Sequence, residues 1–415
     1  MKTSFKAVVA GAMLAAATFS TAQAEETYKI AYIDPLSGPF AANGENAFKE
    51  WKYAVDHFIN EQGGLMGKTK VEVLGFDTKM SPREALIQLK SAILQGARVV
   101  AQGTGSAVAH ALTNAINKHN ARNPDKQVLF LNFAAVDPAL TEKLCNFWHF
   151  RFDAHSDMKM NALTEQIKGR PEIKKVYIIG QNYSFGKAVA ASAVKMLKEK
   201  RPDIEIVGNE LHPIGKVKDF TPYVTKIKAS GAQAIITGNW GADMVGLAKA
   251  AAAAGIDADM YTYYAAGTGI TAAIGEGGKD KIFQITEGFF NPVPEGPWND
   301  YLTNYRKRHP ETDLLQPRIA QATQTLQAAV EKAQSLDSVK VAKAMEGMEI
   351  TTLYGVKMKM RADDHQMLLP LNITVHTNED IKWDFDKSGW GTHVTATIPA
   401  EKVTLPTSCK MDRPS

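Results

Sequence analysis

Small and hydroxyl-bearing residues follow two short apolar runs in the first third of the chain. The runs, 98–101 and 128–133, each predict a buried strand. Where such a strand turns into a helix, the helix N-terminus presents unpaired N–H groups that favour carboxylate oxygens. The turns therefore predict a carboxylate-binding wall made of Thr104, Gly105, Ser106, Ala134, Ala135 and Val136.

Aromatic residues occupy the corresponding turns in the middle third of the chain. Phe185, Trp240 and Tyr264 each follow a short apolar run. Ligands of open α/β sheets bind at the carboxyl ends of strands, where these turns lie. The pattern predicts a small carboxylate that is held by one lobe and covered by aromatic rings of the other. The alternative is that the three rings are only packed side chains.

Motifs for catalysis and nucleotide binding are incomplete. Gly103-Thr104-Gly105 follows a strand, but Val108 occupies the third glycine position of a dinucleotide-binding loop. Residues 62–69 resemble a phosphate-binding loop that begins with glutamine and lacks a preceding strand. His149 and His155 do not have metal-ligand spacing. We expect no catalytic residue, no cofactor and no metal site.

Alternating strands and helices must position the two sets of turns. Strand and helix patterns alternate over 29–133, and the alternation restarts over 176–264. Repeated β-α units predict parallel sheets with helices on both faces. The fold class is therefore α/β, with two doubly wound parallel-sheet lobes, a hinge and an interlobe cleft.

The last third of the chain predicts several crossings between the lobes. A segment rich in proline and glycine, 291–298, precedes helices and strand-like runs that can return to either lobe. We expect an N-terminal lobe made of residues 25–150 and 289–355. The C-terminal lobe would then comprise residues 151–288 and 356–415.

The N-terminus predicts export. Lys2 and Lys6 precede an apolar run of residues 7–19, and Ala22 and Ala24 form a small-residue cleavage site. This pattern predicts a signal peptide over residues 1–24 and a periplasmic mature protein. The formal net charge of +4 over 415 residues is small, which argues against a nucleic-acid partner.

Two cysteines exclude a disulfide-rich scaffold and a four-cysteine zinc site. An oxidising compartment permits a disulfide between Cys145 and Cys409, which would join the tail to the middle of the chain. Two free buried thiols are the alternative.

Several ordered segments resemble the leucine/isoleucine/valine-binding proteins of ABC transporters. The opening strand with Ser37-Gly38-Pro39 and the segment 60–65 resemble family motifs. Further matches in family order are Ser81-Pro82, Ala134-Ala135, Tyr183-Ser184-Phe185-Gly186, Asp219-Phe220, Glu287-Gly288 and the segment 360–366. Each motif is weak alone, but their order and spacing are specific and cover residues 27–410.

The resemblance implies a type I periplasmic binding protein that closes on its ligand and delivers it to an inner-membrane permease. It implies a branched-chain or hydrophobic amino acid as ligand, bound by the two first-lobe turns and by Phe185, Trp240 and Tyr264. Closure requires only a monomer. A ligand-sensing receptor domain and an enzyme are the alternatives from other functional classes.

Two departures from the family pattern point to another ligand. Val136 stands where amino-acid binders usually have Ser or Thr, and Tyr264 stands where they have an acid. A buried ammonium without a counter-charge is costly, so a non-amino aromatic or aliphatic acid is the alternative ligand. Asn43 could bind a polar tail, and three acids could replace the missing one: Asp243, Asp257 and Asp259.

Overall fold

The computed structural model describes residues 27–414, so the predicted signal peptide lies outside the described residues. The strands are β1 (Tyr28–Asp34), β2 (Val71–Asp77), β3 (Val99–Gln102), β4 (Leu129–Asn132), β5 (His149–Arg151), β6 (Lys175–Gln181), β7 (Glu205–His212), β8 (Ala234–Thr237), β9 (Asp259–Thr262), β10 (Ile282–Thr286), β11 (Glu349–Thr351), β12 (Lys357–Met360), β13 (Met367–Leu368), β14 (Leu371–Thr377) and β15 (Gly391–Ile398). The helices are α1 (Ala41–Val55), α2 (Pro82–Leu94), α3 (Ser106–Arg122), α4 (Ser156–Lys168), α5 (Ser184–Lys200), α6 (Thr221–Ser230), α7 (Gly241–Ala253), α8 (Ile270–Ile274), α9 (Pro297–Arg308), α10 (Pro317–Ala333), α11 (Ser338–Met345) and α12 (Ala400–Val403). Within residues 27–414, no helix is long and apolar enough to cross a membrane.

The first sheet has five parallel strands in the order β2-β1-β3-β4-β5. Strands β3 and β4 are buried along their whole length, as expected for a parallel sheet with helices on both faces. Ser81 caps the start of α2, because its hydroxyl accepts the Glu84 N–H at 3.3 Å and Pro82 takes the first helical position.

The second sheet has seven strands in the order β15-β14-β10-β9-β8-β6-β7. Strands β6 to β10 are parallel, whereas β14 and β15 form an antiparallel pair added at the β10 edge. The α/β prediction with two parallel-sheet lobes is confirmed, but the antiparallel edge is an addition that it did not contain. A third, small antiparallel sheet has the strand order β11-β12-β13, and its strands come between α11 and β14 in the sequence.

The chain passes between the two sheets at three places, around residues 152–155, 287–296 and 361–370. After the second passage, Trp298 and Leu326 of α9 and α10 pack in the core of the first sheet. Met358, beyond the predicted limit at residue 355, packs in that same core. The proposed lobe limits therefore stay a prediction, while the three passages provide the hinge.

The C-terminal tail is joined to the middle of the chain. The sulfurs of Cys145 and Cys409 form a disulfide, with 5.8 Å between the two Cα atoms. Cys145 precedes β5, which is the last strand before the first passage between sheets. The tail is thus held against the first lobe near the hinge.

Candidate functional site

A cavity lies where the carboxyl ends of the strands of both sheets face each other. It has an empty volume of about 840 Å³, counting the part that is open to solvent. That size suits a small organic molecule. Nine of the ten predicted ligand-binding residues line it, namely Asn43, Thr104, Gly105, Ser106, Ala134, Val136, Phe185, Trp240 and Tyr264.

The turn after β3 forms the first wall of the cavity. The N–H and hydroxyl of Thr104 both donate to the buried carboxyl of Asp34, at 2.9 Å each. Gln102 donates to the same carboxyl and to the Thr104 carbonyl, at 3.3 and 2.8 Å. Burial raises the pKa of Asp34 to about 6, although the hydrogen bonds from Thr104 oppose the shift. These contacts hold the turn rigidly against β1.

Gly105 and Ser106 begin α3 at the cavity. Gly105 has φ +91°, and a Cβ added there would lie 2.5 Å from the Met80 methyl group, so the position requires glycine. The Ser106 hydroxyl accepts the Asp137 N–H at 3.3 Å, which leaves its own proton available to a ligand. The start of a 17-residue helix and a free hydroxyl proton together suit a carboxylate.

The turn after β4 contributes a smaller surface than predicted. Asn132 accepts the N–H groups of Ala134 and Ala135 at 3.2 and 2.7 Å and donates to the Ala135 carbonyl at 2.8 Å. Ala135 therefore turns away and is the one predicted residue that does not line the cavity. Val136 is buried and supplies methyl groups rather than a hydroxyl.

Aromatic rings of the second lobe form the opposite wall. Tyr183 and Tyr263, which are not among the ten predicted ligand-binding residues, line it together with Phe185, Trp240 and Tyr264. The Trp240 indole N–H donates to the Tyr183 hydroxyl at 2.8 Å, and the Tyr264 hydroxyl donates to Asp153 at 3.1 Å. Most polar atoms of this wall are thus used within the protein, and the rings offer flat apolar contact.

No aspartate or glutamate among residues 27–414 lines the cavity. Asp243 accepts from the Gln181 side chain and the Gly215 N–H, at 2.7 and 2.8 Å. Asp257 pairs with Lys281, and Asp259 pairs with Arg170 at 2.9 Å. None of these three acids therefore takes the place of the missing counter-charge.

A buried group of four charges lies behind the cavity at the hinge. Lys159 lies 2.6 Å from Asp153 and 2.8 Å from Glu287, and Arg318 lies 2.7 and 2.9 Å from the same two carboxylates. Asp153 and Glu287 lie in the first two passages between the sheets, so the four charges tie the lobes together. Arg318 also lines the cavity and is its one charged lining residue within the described chain.

The sequence prediction missed these four residues. They come from three separate segments, and no motif spacing links them. The only signal in the sequence was Glu287, which belongs to the Glu287-Gly288 family match but received no predicted role in the site. Within the described chain, no cluster of His, Cys, Asp and Glu side chains is placed to hold a metal ion.

Phe40 bridges the two lobes at the rim of the cavity. It precedes α1 of the first lobe, yet its ring lies 4.3 Å from the Trp240 ring and belongs to the second-lobe core. Gly215 and Gly241 make room for it, because a Cβ added at either would lie 3.0 Å from the ring. The structure therefore has the lobes in contact around the cavity.

Comparisons with known proteins agree with this architecture. The family described as periplasmic binding protein matches residues 27–379. The Leu/Ile/Val-binding protein homolog 4 of Brucella abortus is 33% identical over 427 aligned positions, which cover 100% of this chain and 99% of the relative. Both are described as binding proteins rather than enzymes.

Solved structures share the fold. The closed crystal structure of the leucine-, isoleucine-, valine-, threonine-, and alanine-binding protein of Brucella ovis has a TM-score of 0.83 and 30% identity, and covers 94% of this chain and 100% of its own. A Rhodopseudomonas palustris solute-binding protein in complex with benzoate has a TM-score of 0.77 at 17% identity, over 93% of this chain and 100% of its own, which supports the fold alone. The chain therefore belongs to the leucine/isoleucine/valine-binding family of periplasmic solute-binding proteins, whose members bind small molecules for ABC transporters.

Proposed function

We propose that this protein captures a small carboxylate-bearing solute between its lobes and delivers it to an inner-membrane ABC permease. The observation that carries the proposal is the wall at Thr104–Ser106, where α3 begins with a free hydroxyl proton facing a cavity. Trp240 and Tyr264 of the other lobe close the opposite side, which supports capture by lobe closure.

The ligand we favour is an aromatic or aliphatic acid without an α-amino group. An ammonium would find no carboxylate in the cavity lining of the described chain, and an unpaired buried charge is costly. The aromatic wall and the methyl groups of Val136 suit a flat or branched apolar body. A neighbour of the same fold in complex with benzoate is consistent with this class.

A branched-chain or hydrophobic amino acid is the second candidate. The names of the relatives from Brucella support it, since both refer to leucine, isoleucine and valine. In that case the ammonium would have to be received by neutral acceptors, among which the Asn43 side chain and the Thr104 carbonyl lie at the cavity.

Export, delivery and stoichiometry are parts of the same proposal. The sequence pattern of residues 1–24 and the family support a periplasmic location. We expect the mature protein to begin at Glu25 and to act as a monomer. Edman sequencing of protein released by osmotic shock tests the first point, and light scattering tests the second.

The function is tested by matched ligands that differ only at the carboxylate. We expect 4-methylpentanoate to raise the melting temperature and 4-methylpentanamide to leave it unchanged, because ligand binds only the folded state. Mass spectrometry of small molecules released from the purified protein identifies the natural ligand. Equal stabilisation by acid and amide would contradict carboxylate capture.

A further inference from the structure

The end of the cavity nearest the hinge is rich in hydrogen-bond donors without acceptors. Arg318 is 4% exposed, and its Nε atom is buried with no partner among the described residues. Gln284 accepts the Ala266 N–H at 2.6 Å, and Gln316 accepts from Arg318, but neither amide nitrogen donates within residues 27–414. All three side chains line the cavity. Two side-chain amide groups, those of Gln284 and Gln316, therefore have N–H donors free beside Arg318 at one end of the site.

This end is held in place by a buried acid. Glu50 of α1 accepts the N–H groups of Leu315 and Gln316 at 2.9 Å each. The two hydrogen bonds fix the segment that carries Gln316 into the cavity. The donors are thus positioned before any ligand arrives, which lowers the entropy cost of binding.

Four buried charged groups lie behind this end. Burial, opposed by Arg318 and reinforced by Glu287, raises the pKa of Asp153. Lys159 and Arg318 outweigh burial at Glu287 and hold its pKa well below the usual range. Arg318 is the member of this group that also lines the cavity, so it brings a cation to this end.

Resting on the proposed capture of a carboxylate at Thr104–Ser106, we propose a second subsite at the hinge end of the cavity, formed by Arg318, Gln316 and Gln284. Its occupant is a second carboxylate, so the ligand is a dicarboxylate. The aromatic wall between the two ends contacts the apolar middle of that molecule. Neither end uses an ammonium, in keeping with the absence of an aspartate or glutamate from the cavity lining within residues 27–414.

The subsite is tested by calorimetric titration with two matched pairs, hexanoate against adipate and benzoate against terephthalate. In each pair the second carboxylate is the main difference. We expect at least one diacid to bind about 10- to 100-fold more tightly than its monoacid, the effect of charge-assisted hydrogen bonds. Equal or tighter binding of both monoacids overturns the second subsite and leaves the proposed function standing. Failure of all four acids to bind overturns both.

Gln316→Glu separates the subsite from general anion attraction. The substitution keeps an oxygen that accepts from Arg318 but adds a negative charge at the hinge end. We expect it to abolish the preference for the diacid, so that diacid and monoacid bind with similar affinity. Gln62→Glu adds the same charge at an exposed loop and serves as the control. A diacid preference that survives Gln316→Glu also overturns the subsite.

Discussion

The two ends of the cavity present hydrogen-bond donors by different means. At the first-lobe end, the groups belong to one short turn, Thr104–Ser106, and to the start of one helix. At the hinge end, they are long side chains backed by four buried charges from separate segments. The first end is a local product of strand and turn, whereas the second exists only when both lobes are folded together.

Removing Arg318 should have the largest effect, because it takes away one of the four buried charges at the hinge end. Arg318→Met leaves Asp153 and Glu287 with Lys159 as their only cation and should cost about 3–5 kcal/mol of unfolding free energy. Urea denaturation measures it. Arg308→Met, at an exposed pair of α9, is the matched control and should cost under about 1 kcal/mol. Equal effects of the two substitutions would show that the buried charges do not stabilise the hinge.

Phe40→Ala should weaken the contact between the two lobes. The Phe40 ring packs on Trp240 across the lobes, so its loss penalises the closed form. We expect ligand affinity to fall about 10- to 100-fold, as for loss of part of a buried aromatic contact. Small-angle scattering should show a larger radius of gyration at equal ligand concentration.

Phe48→Ala provides the control for that change. Phe48 packs on Tyr32 inside the first lobe, with ring centroids 5.3 Å apart. Phe48→Ala should lower the unfolding free energy without changing the radius of gyration. The interlobe role of Phe40 is wrong if its variant affects stability but leaves affinity and radius unchanged.

Ser106→Ala tests the first-lobe end of the cavity. Removal of the hydroxyl should weaken every carboxylate ligand about 10-fold, the value of one hydrogen bond to a charged group. Monoacids and diacids should lose affinity by the same factor, whereas Gln316→Glu should weaken the diacids more. Calorimetry measures the loss, and an unchanged melting temperature shows that the fold is intact. A loss confined to diacids would place the first carboxylate elsewhere.

A pH-dependent difference should be the smallest effect near neutral pH. His155 caps α4, the helix of Lys159, and burial holds its pKa well below 6.5. The folded state keeps His155 neutral while the unfolded chain takes up a proton, so stability is lost as pH falls below about 6.5. His155→Asn keeps a capping oxygen without titrating.

The stability difference between this variant and wild type isolates the histidine. It should shift in favour of the variant by about 1.4 kcal/mol per pH unit below pH 6.5 and be constant at pH 7–8. Urea denaturation at several pH values measures it. A difference that does not vary between pH 5 and 8 would contradict a neutral, buried His155.

The contrast between a local turn and contacts among distant segments explains what the sequence could predict. Helix α5 lies within the alternation of strands and helices predicted over 176–264, and the cavity turn at Thr104–Ser106 follows β3 as expected, because strand, turn and cap are local patterns. Helix α4 was not predicted, since buried residues surround most of it, including Met158, Lys159 and Leu163, and leave no single apolar stripe.

Long-range contacts account for most of what was missed in the site. Arg318 meets Asp153 across 165 positions, and Phe40 reaches Trp240 only through the closed arrangement of lobes. Ala135 does not line the cavity, and Asn132 takes up its backbone groups, a tertiary detail of one turn. Such contacts depend on topology and not on the spacing of residues.

The central claim is that the cavity binds a carboxylate and has no place for an ammonium. Calorimetric titration with leucine and 4-methylpentanoate tests it most directly, because the two molecules differ only in the amino group. We expect 4-methylpentanoate to bind at least about 10-fold more tightly than leucine, since the buried ammonium lacks a partner. Tighter binding of leucine would contradict the claim and return the ligand to the amino acids.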